Sequence, residues 1–113
     1  MLTVNEKEAL SRLDDDHEIY DELIGAFLQD SANDITRLGE AVSMRNLEKT
    51  AYHAHKIKGA ALTLGAEILS YHAERLEQAS RKGEDADYDA LFHEMETGYH
   101  AAVAELKKIR TDR

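Results

Sequence analysis

The residues best suited to chemistry lie in one stretch, 53–59, which reads His-Ala-His-Lys-Ile-Lys-Gly. A neutral imidazole is a good nucleophile near pH 7, and a ring nitrogen can attack a phosphoryl donor directly to give a phosphoramidate. His55 has Lys58 three positions later and Gly59 four positions later, so in a helix all three share one surface. Helical side chains lean toward the N-terminus, and Gly59 has none to lie over the ring. The spacing therefore favours His55 as an accessible nucleophile beside a positive charge.

His53 provides a comparison within the same stretch. It also has a lysine at i+3, Lys56, but Ile57 stands at i+4, where His55 has a glycine. The local geometry therefore favours His55 over His53 by that one glycine. An alternative stays open, in which Gly59 serves only helix packing and the nearby lysine is an ordinary surface residue.

The stretch belongs to one of several predicted amphipathic helices, in which apolar residues recur every three or four positions. Asn46 is a suitable N-cap for the helix that holds His55, and Gly65 is a natural stop after Leu64. The other predicted helices cover about residues 3–13, 16–44, 66–82 (followed by Gly83) and 88–109. Long helices with short connections predict an all-α fold, an antiparallel up-down four-helix bundle with a short N-terminal lead-in helix. Residues 1–113 are expected to form one such domain.

The composition fits this fold and narrows the classes of function. The 113 residues include no Pro and no Cys, which disfavours turn-rich β folds and excludes disulfides, thiolate metal sites and a cysteine nucleophile. Twenty-three acidic and fourteen basic residues give a net charge of −9, so nucleic acid and anionic membrane surfaces are not expected partners. No stretch approaches the roughly 18 apolar residues of a membrane span, and no signal-peptide pattern opens the chain. We expect a cytoplasmic location, either for a free-standing protein or for a module of a larger membrane-bound one.

Six histidines in an acidic helical chain also suggest a metal site, but the usual spacings are missing. No histidine has Glu three positions before it, no two are four apart, and His-Glu-x-x-His does not occur. His93 and His100 share a helix face, yet two imidazoles without a positioned carboxylate make a weak site. The prediction is that the chain holds no metal of its own.

The stretch 55–66, His-Lys-Ile-Lys-Gly-Ala-Ala-Leu-Thr-Leu-Gly-Ala, resembles the signature of histidine-containing phosphotransfer (HPt) domains. That signature is His-x-hydrophobic-Lys-Gly, five further residues, then Gly. The resemblance continues on the next helix with Leu76-Glu77 and Gly83, and it includes Phe27 on the long preceding helix. It covers most of the chain in the family's order, and the predicted bundle matches the family fold.

The resemblance implies a phosphorelay intermediate. His55 would accept a phosphoryl group from an aspartate of a response-regulator receiver domain and pass it to the aspartate of another receiver. Lys58 would assist the phosphoryl charge, and Gly59 would admit the receiver's aspartate. The family has no ATP site, so the chain would be a phosphoryl carrier and not an autonomous kinase. Sensor or hybrid histidine kinases are further implied partners, and Mg²⁺ would be held by the receiver.

A helical wheel drawn around His55 predicts where such a partner docks. Several residues lie within about 60° of His55 or at the edges of that arc, and we call this set the collar. Its members are Glu48, Ala51, Tyr52, Lys58, Gly59 and Leu62. Two other functions stay open: a non-catalytic helical interaction module that binds a receiver domain or a helix without chemistry, and a metal-binding helical protein.

Overall fold

Five helices connected by short loops make up the computed structural model, which describes residues 1–112. They are α1 (Glu6–Ser11), α2 (His17–Ser43), α3 (Leu47–Leu64), α4 (Glu67–Lys82) and α5 (Tyr88–Thr111). The predicted all-α class is therefore confirmed. No helix in the described range is long and apolar enough to cross a membrane.

The capping signals in the sequence mark the ends of the long helices correctly. The Asn46 side chain accepts a hydrogen bond from the Lys49 backbone N–H at 3.0 Å, which satisfies a free donor at the start of α3. Gly65 closes α3 in the left-handed conformation, with φ of 79°, and Gly83 closes α4 in the same way. A residue with a side chain would be strained in this backbone conformation. The helix that carries His55 thus has fixed ends.

The ends of several helices differ from those predicted, and α2 is one residue shorter at each end than the predicted 16–44. Helix α1 covers only residues 6–11 of the predicted 3–13, because a turn follows in which Asp14 and Asp15 have positive φ. Helix α4 begins one residue late, after Ala66, whose side chain cannot cap it. The Leu2 carbonyl instead accepts a hydrogen bond from the Ile68 N–H at 3.2 Å. Helix α5 continues to Thr111, two residues beyond the prediction.

The four long helices pack side by side, each against two neighbours. Helix α2 contacts α3 and α5, and helix α4 also contacts α3 and α5. Helix α1 lies against α2 and α3, and the Asn5 N–H donates to the Gly65 carbonyl at 2.7 Å. The core contains, among others, Tyr20, Ile24, Leu38, Ile57, Leu64, Leu69, Leu76, Met95 and Leu106. Because α3 lies between α2 and α4, one flank of the His55 helix faces each of them.

Candidate functional site

His55 projects from the middle of α3 on the flank that faces α4. Its side chain is 60% exposed, and its Nδ1 atom lies 2.9 Å from Oε2 of Glu77 on α4. A carboxylate can only accept hydrogen bonds, so Nδ1 must carry the proton in this contact. The lone pair of the neutral ring then resides on Nε2. The Glu77 carboxylate therefore fixes both the orientation of the ring and the nitrogen that can attack.

Glu77 is buried, with only 3% of its surface exposed, although it carries a charge. Three cationic or donor groups surround it: His55, the Arg81 Nε at 2.7 Å from Oε2, and the Lys58 Nζ at 2.8 Å from Oε1. Burial acts to raise the pKa of Glu77, but the neighbouring Lys58 ammonium and the hydrogen bond from Arg81 outweigh it, so its pKa lies below the usual value. Glu77 thus stays ionised at neutral pH and can keep accepting from the imidazole.

Lys58 lies beside the same carboxylate but also reaches a second one. Its ammonium is 2.7 Å from Oε2 of Glu74, one turn before Glu77 on α4. The hydrogen bond to Glu74 and then the neighbouring Glu77 carboxylate raise the pKa of Lys58 above its usual value. The side chain is 19% exposed, so this lysine is largely packed into the seam between α3 and α4. It is a permanent positive charge next to the candidate nucleophile.

Gly59 opens the surface next to His55. A Cβ atom placed on Gly59 would meet nothing within 4 Å, whereas one placed on Gly39 would lie 3.1 Å from the Phe92 ring. Gly39 therefore serves helix packing, and Gly59 does not. The packing interpretation that the sequence left open for Gly59 is wrong, and the glycine leaves free space one turn from the imidazole.

His53 lies on the opposite flank of α3 and is half-buried. Its Nδ1 atom is buried and has no hydrogen-bond partner among residues 1–112. Burial lowers the pKa of His53, and nearby Lys56 adds to that effect. Lys56 itself turns away to pair with Asp34 on α2 at 3.1 Å. A groove of about 240 Å³ between α2 and α3 runs along this flank, lined mainly by apolar side chains.

The collar is mostly, but not entirely, at the surface. Tyr52 and Leu62 are 64% and 51% exposed, and Glu48 is exposed as well. Ala51 is only 5% exposed and belongs to the buried side of the helix. The helical wheel places Ala51 at the surface because it assumes a narrow buried face. Helix α3 packs against both α2 and α4, so its buried arc is wider and takes in Ala51.

The positions of the histidines bear on the metal-binding alternative. Within residues 1–112 no group of three or more His, Asp or Glu side chains lies close enough to hold a metal ion. His93 and His100 are both exposed on α5.

Sequence reasoning missed the contacts that Glu77, Glu74 and Arg81 make at the site. One signal was available, because Glu77 falls within the apolar stripe of α4, four positions after Ala73 and next to Leu76. A charged residue at such a position needs a partner, since burying an unpaired charge is costly. The identity of that partner depends on the register between α3 and α4.

Comparison with known proteins agrees with this geometry. The Hpt domain family model matches residues 22–108, which include the whole of α3 and α4. The structure superimposes on the crystal structure of histidine-containing phosphotransfer protein B (HptB) from Pseudomonas aeruginosa PAO1 with a TM-score of 0.87. The two share 23% sequence identity, and the match covers 98% of this chain and 96% of that one. No curated protein sequence gives a significant match. With a motif histidine, lysine and glycine arranged on such a fold, the chain belongs to the Hpt domain family of histidine phosphotransfer proteins, which act in phosphorelays.

Proposed function

We propose that His55 is the phosphoryl-accepting residue of this chain, taking the group from an aspartyl phosphate of one receiver domain and giving it to an aspartate of another. The observation that carries the proposal is the 2.9 Å contact between His55 Nδ1 and the buried Glu77 carboxylate. It leaves Nε2 with the lone pair, at an exposed position beside the open surface of Gly59.

The phosphoryl transfer to His55 needs no external proton donor. The Nε2 lone pair attacks phosphorus, an N–P bond forms, the P–O bond to the aspartate breaks, and the carboxylate leaves with the bonding electrons. The ring keeps its Nδ1 proton and gains a positive charge, which the ionised Glu77 offsets at 2.9 Å. Transfer onward is the same step in reverse. Donor, phosphorus and acceptor must lie in line, so correct docking is part of the catalysis.

Lys58 and Gly59 complete the site. The Lys58 ammonium offers positive charge on the α4 side of the imidazole, where a phosphoryl group on Nε2 would need it. Gly59 leaves room for the incoming aspartate, since a larger side chain at i+4 would lean over the ring. Arg81 donates to Oε2 of Glu77, the oxygen that also contacts His55, and so acts through Glu77.

The partner follows from this chemistry. We expect a response-regulator receiver domain to dock on the exposed part of the collar, Tyr52 and Leu62 with Glu48 at its edge, because apolar side chains on a polar surface favour a partner. The receiver would hold the Mg²⁺, and a sensor or hybrid histidine kinase would feed the relay. The scaffold would be an antiparallel up-down four-helix bundle with α1 against one end, working as one domain in the cytoplasm.

The test is intact-mass analysis after incubation with phosphorylated receiver domains and Mg²⁺. Wild type, His55→Gln and His53→Gln are compared, and several receivers are tried. We expect an acid-labile phosphoryl adduct on wild type and on His53→Gln, and none on His55→Gln. Labelling of His55→Gln would refute His55 as the site. A lack of labelling in all three variants, with a receiver that still binds wild type and His55→Gln equally, would favour the non-catalytic interaction module.

A further inference from the structure

The Lys58 ammonium has two carboxylate partners, and only one of them also touches His55. Glu77 contacts both Lys58 and the imidazole. Glu74 contacts Lys58 at 2.7 Å through Oε2, while its Oε1 accepts from the Gln78 amide at 3.1 Å. The Gln78 amide thereby holds the Glu74 carboxylate in place on α4. The α3–α4 seam contains a carboxylate whose main partner is the lysine of the phosphotransfer site.

This arrangement places Glu74 in competition with a phosphoryl group. The Lys58 ammonium donates a hydrogen bond to Glu74 at 2.7 Å and lies 2.8 Å from Oε1 of Glu77 as an ion pair. Arg81 also pairs with Glu77, so Glu74 is the carboxylate whose charge is left to offset that of Lys58. A phosphoryl dianion on His55 would need the same ammonium, and it would meet the negative charge of Glu74 behind it. The more firmly Glu74 holds Lys58, the less that lysine stabilises phosphohistidine.

We infer that Glu74 is a positioning residue that holds the Lys58 ammonium toward α4 and thereby keeps the phosphoryl group on His55 less stable and easier to transfer. The inference rests on the proposed function of His55. It assigns a role to a residue outside the motif, and that role is separable from the one of Glu77. Removing the Glu74 charge should leave the His55–Glu77 contact intact and free Lys58 to turn to the phosphoryl group.

The experiment uses the full chain phosphorylated with phosphoramidate, a small phosphoryl donor that needs no receiver. The phosphoryl resonance is followed by ³¹P NMR across a pH titration, since a nearby cation favours the dianion and lowers the phosphoryl pKa. The variants are Glu74→Gln, Lys58→Gln and the double substitution. Glu94→Gln is the matched control, because it removes an exposed carboxylate on α5 that pairs with Arg75 and His72 of α4 and not with Lys58. Thermal unfolding establishes that each variant is folded, and Glu74→Ala serves as a second replacement.

We expect Glu74→Gln to weaken proton binding by the phosphoryl group about threefold, the size of a partly exposed charge interaction, and Glu94→Gln to leave it unchanged. The Glu74→Gln effect should disappear in the Lys58→Gln background. At equilibrium with a receiver that labels wild type, Glu74→Gln should shift the phosphoryl group toward His55 by a similar factor. An unchanged titration in Glu74→Gln, or an equal change with and without Lys58, would overturn the inference while leaving the carrier function standing. A wild-type chain labelled at a residue other than His55 would overturn the proposed function and this inference together.

Discussion

The two flanks of α3 carry the same short pattern and use it differently. Each has a histidine followed three positions later by a lysine that pairs with an acid on the neighbouring helix. On the α4 flank the histidine is exposed and its Nδ1 meets the buried Glu77. On the α2 flank His53 is half-buried, and its Nδ1 has no hydrogen-bond partner in the described part of the chain.

The difference lies in the partners and not in the histidines themselves. A nucleophilic imidazole needs one nitrogen held by an acceptor and the other left open to the reaction partner. Glu77 supplies the first requirement and Gly59 the second for His55. On the other flank the acid, Asp34, bonds Lys56 instead of the ring, and Ile57 occupies the position of the glycine. Two histidines that are only two residues apart are therefore expected to differ in their reactivity as nucleophiles.

The largest expected effect comes from trying to open the space next to His53. Ile57→Gly would copy the glycine of the other flank, but Ile57 is 2% exposed and belongs to the core. The lost burial, the cavity and the glycine in mid-helix should together cost about 4 kcal/mol. Urea unfolding at pH 7 measures the cost, with Gly59→Ala as the control, which should be neutral or stabilising because its Cβ meets open space. A loss of unfolding free energy below about 1 kcal/mol would contradict the core role of Ile57. Phosphoryl labelling of His53 in the folded variant would contradict the stated difference between the two histidines.

The second largest expected effect is on the rate at which His55 takes up a phosphoryl group. Gly59→Leu places a branched side chain over the His55 ring and should slow phosphoryl uptake from a receiver about 100-fold, without reducing stability. Gly59→Ala should slow it much less, because its side chain ends at Cβ. Single-turnover labelling followed by intact mass gives both rates. If Gly59→Leu folds and transfers at the wild-type rate, open space is not what distinguishes His55 from His53.

Glu77→Gln removes the carboxylate acceptor, the second feature that distinguishes His55 from His53. The amide can still contact the ring, but it no longer favours protonated Nδ1 or offsets the charge that develops there, so we expect about tenfold slower uptake. Lys58 and Arg81 also lose their shared anion, which should lower stability by about 2 kcal/mol at pH 7. An unchanged uptake rate would show that Glu77 has only a structural role.

The same variant has a predicted pH signature. The pKa of Glu77 lies below its usual 4.5 in the folded chain, so its stabilising contribution is full above that value and is lost as the pH falls through the folded pKa. The gap in unfolding free energy between wild type and Glu77→Gln should therefore narrow between pH 7 and pH 3. Urea titrations at the two pH values check this. A gap that is constant or wider at pH 3 would contradict it.

The fold and the motif could be predicted from the sequence because both depend on local spacing. Apolar residues three and four apart indicate the helices, Asn46 and Gly65 mark the ends of α3, and the side-chain direction in a helix places Gly59 beside His55. The family resemblance rests on that same local pattern. The burial of Ala51 could not be predicted in this way, since it depends on two helices packing against α3.

The contacts that α4 contributes to the site could not be predicted from the sequence for the same reason. Glu77 is 22 residues from His55, and only the register between α3 and α4 brings them into contact. The apolar stripe of α4 contains Glu77, which predicts a buried charge with a partner, but it does not say which partner. The choice among Lys58, Arg81 and the imidazole is made by tertiary packing, and in this chain all three contact the same carboxylate.

The smallest expected effect concerns His53. Burial lowers its pKa below the usual 6.5, with Arg37, Lys56 and Lys49 adding to the shift and Asp34 opposing it. The folded chain therefore binds a proton at His53 less readily than the unfolded chain. Its contribution to stability is full above pH 6.5 and is lost as the pH falls through the folded pKa. His53→Gln should make the unfolding free energy less dependent on pH between pH 7 and pH 5, while phosphoryl uptake at His55 stays at the wild-type rate. A steeper dependence on pH, or slower uptake, would mean that the two flanks of α3 are coupled and that His53 takes part in the site.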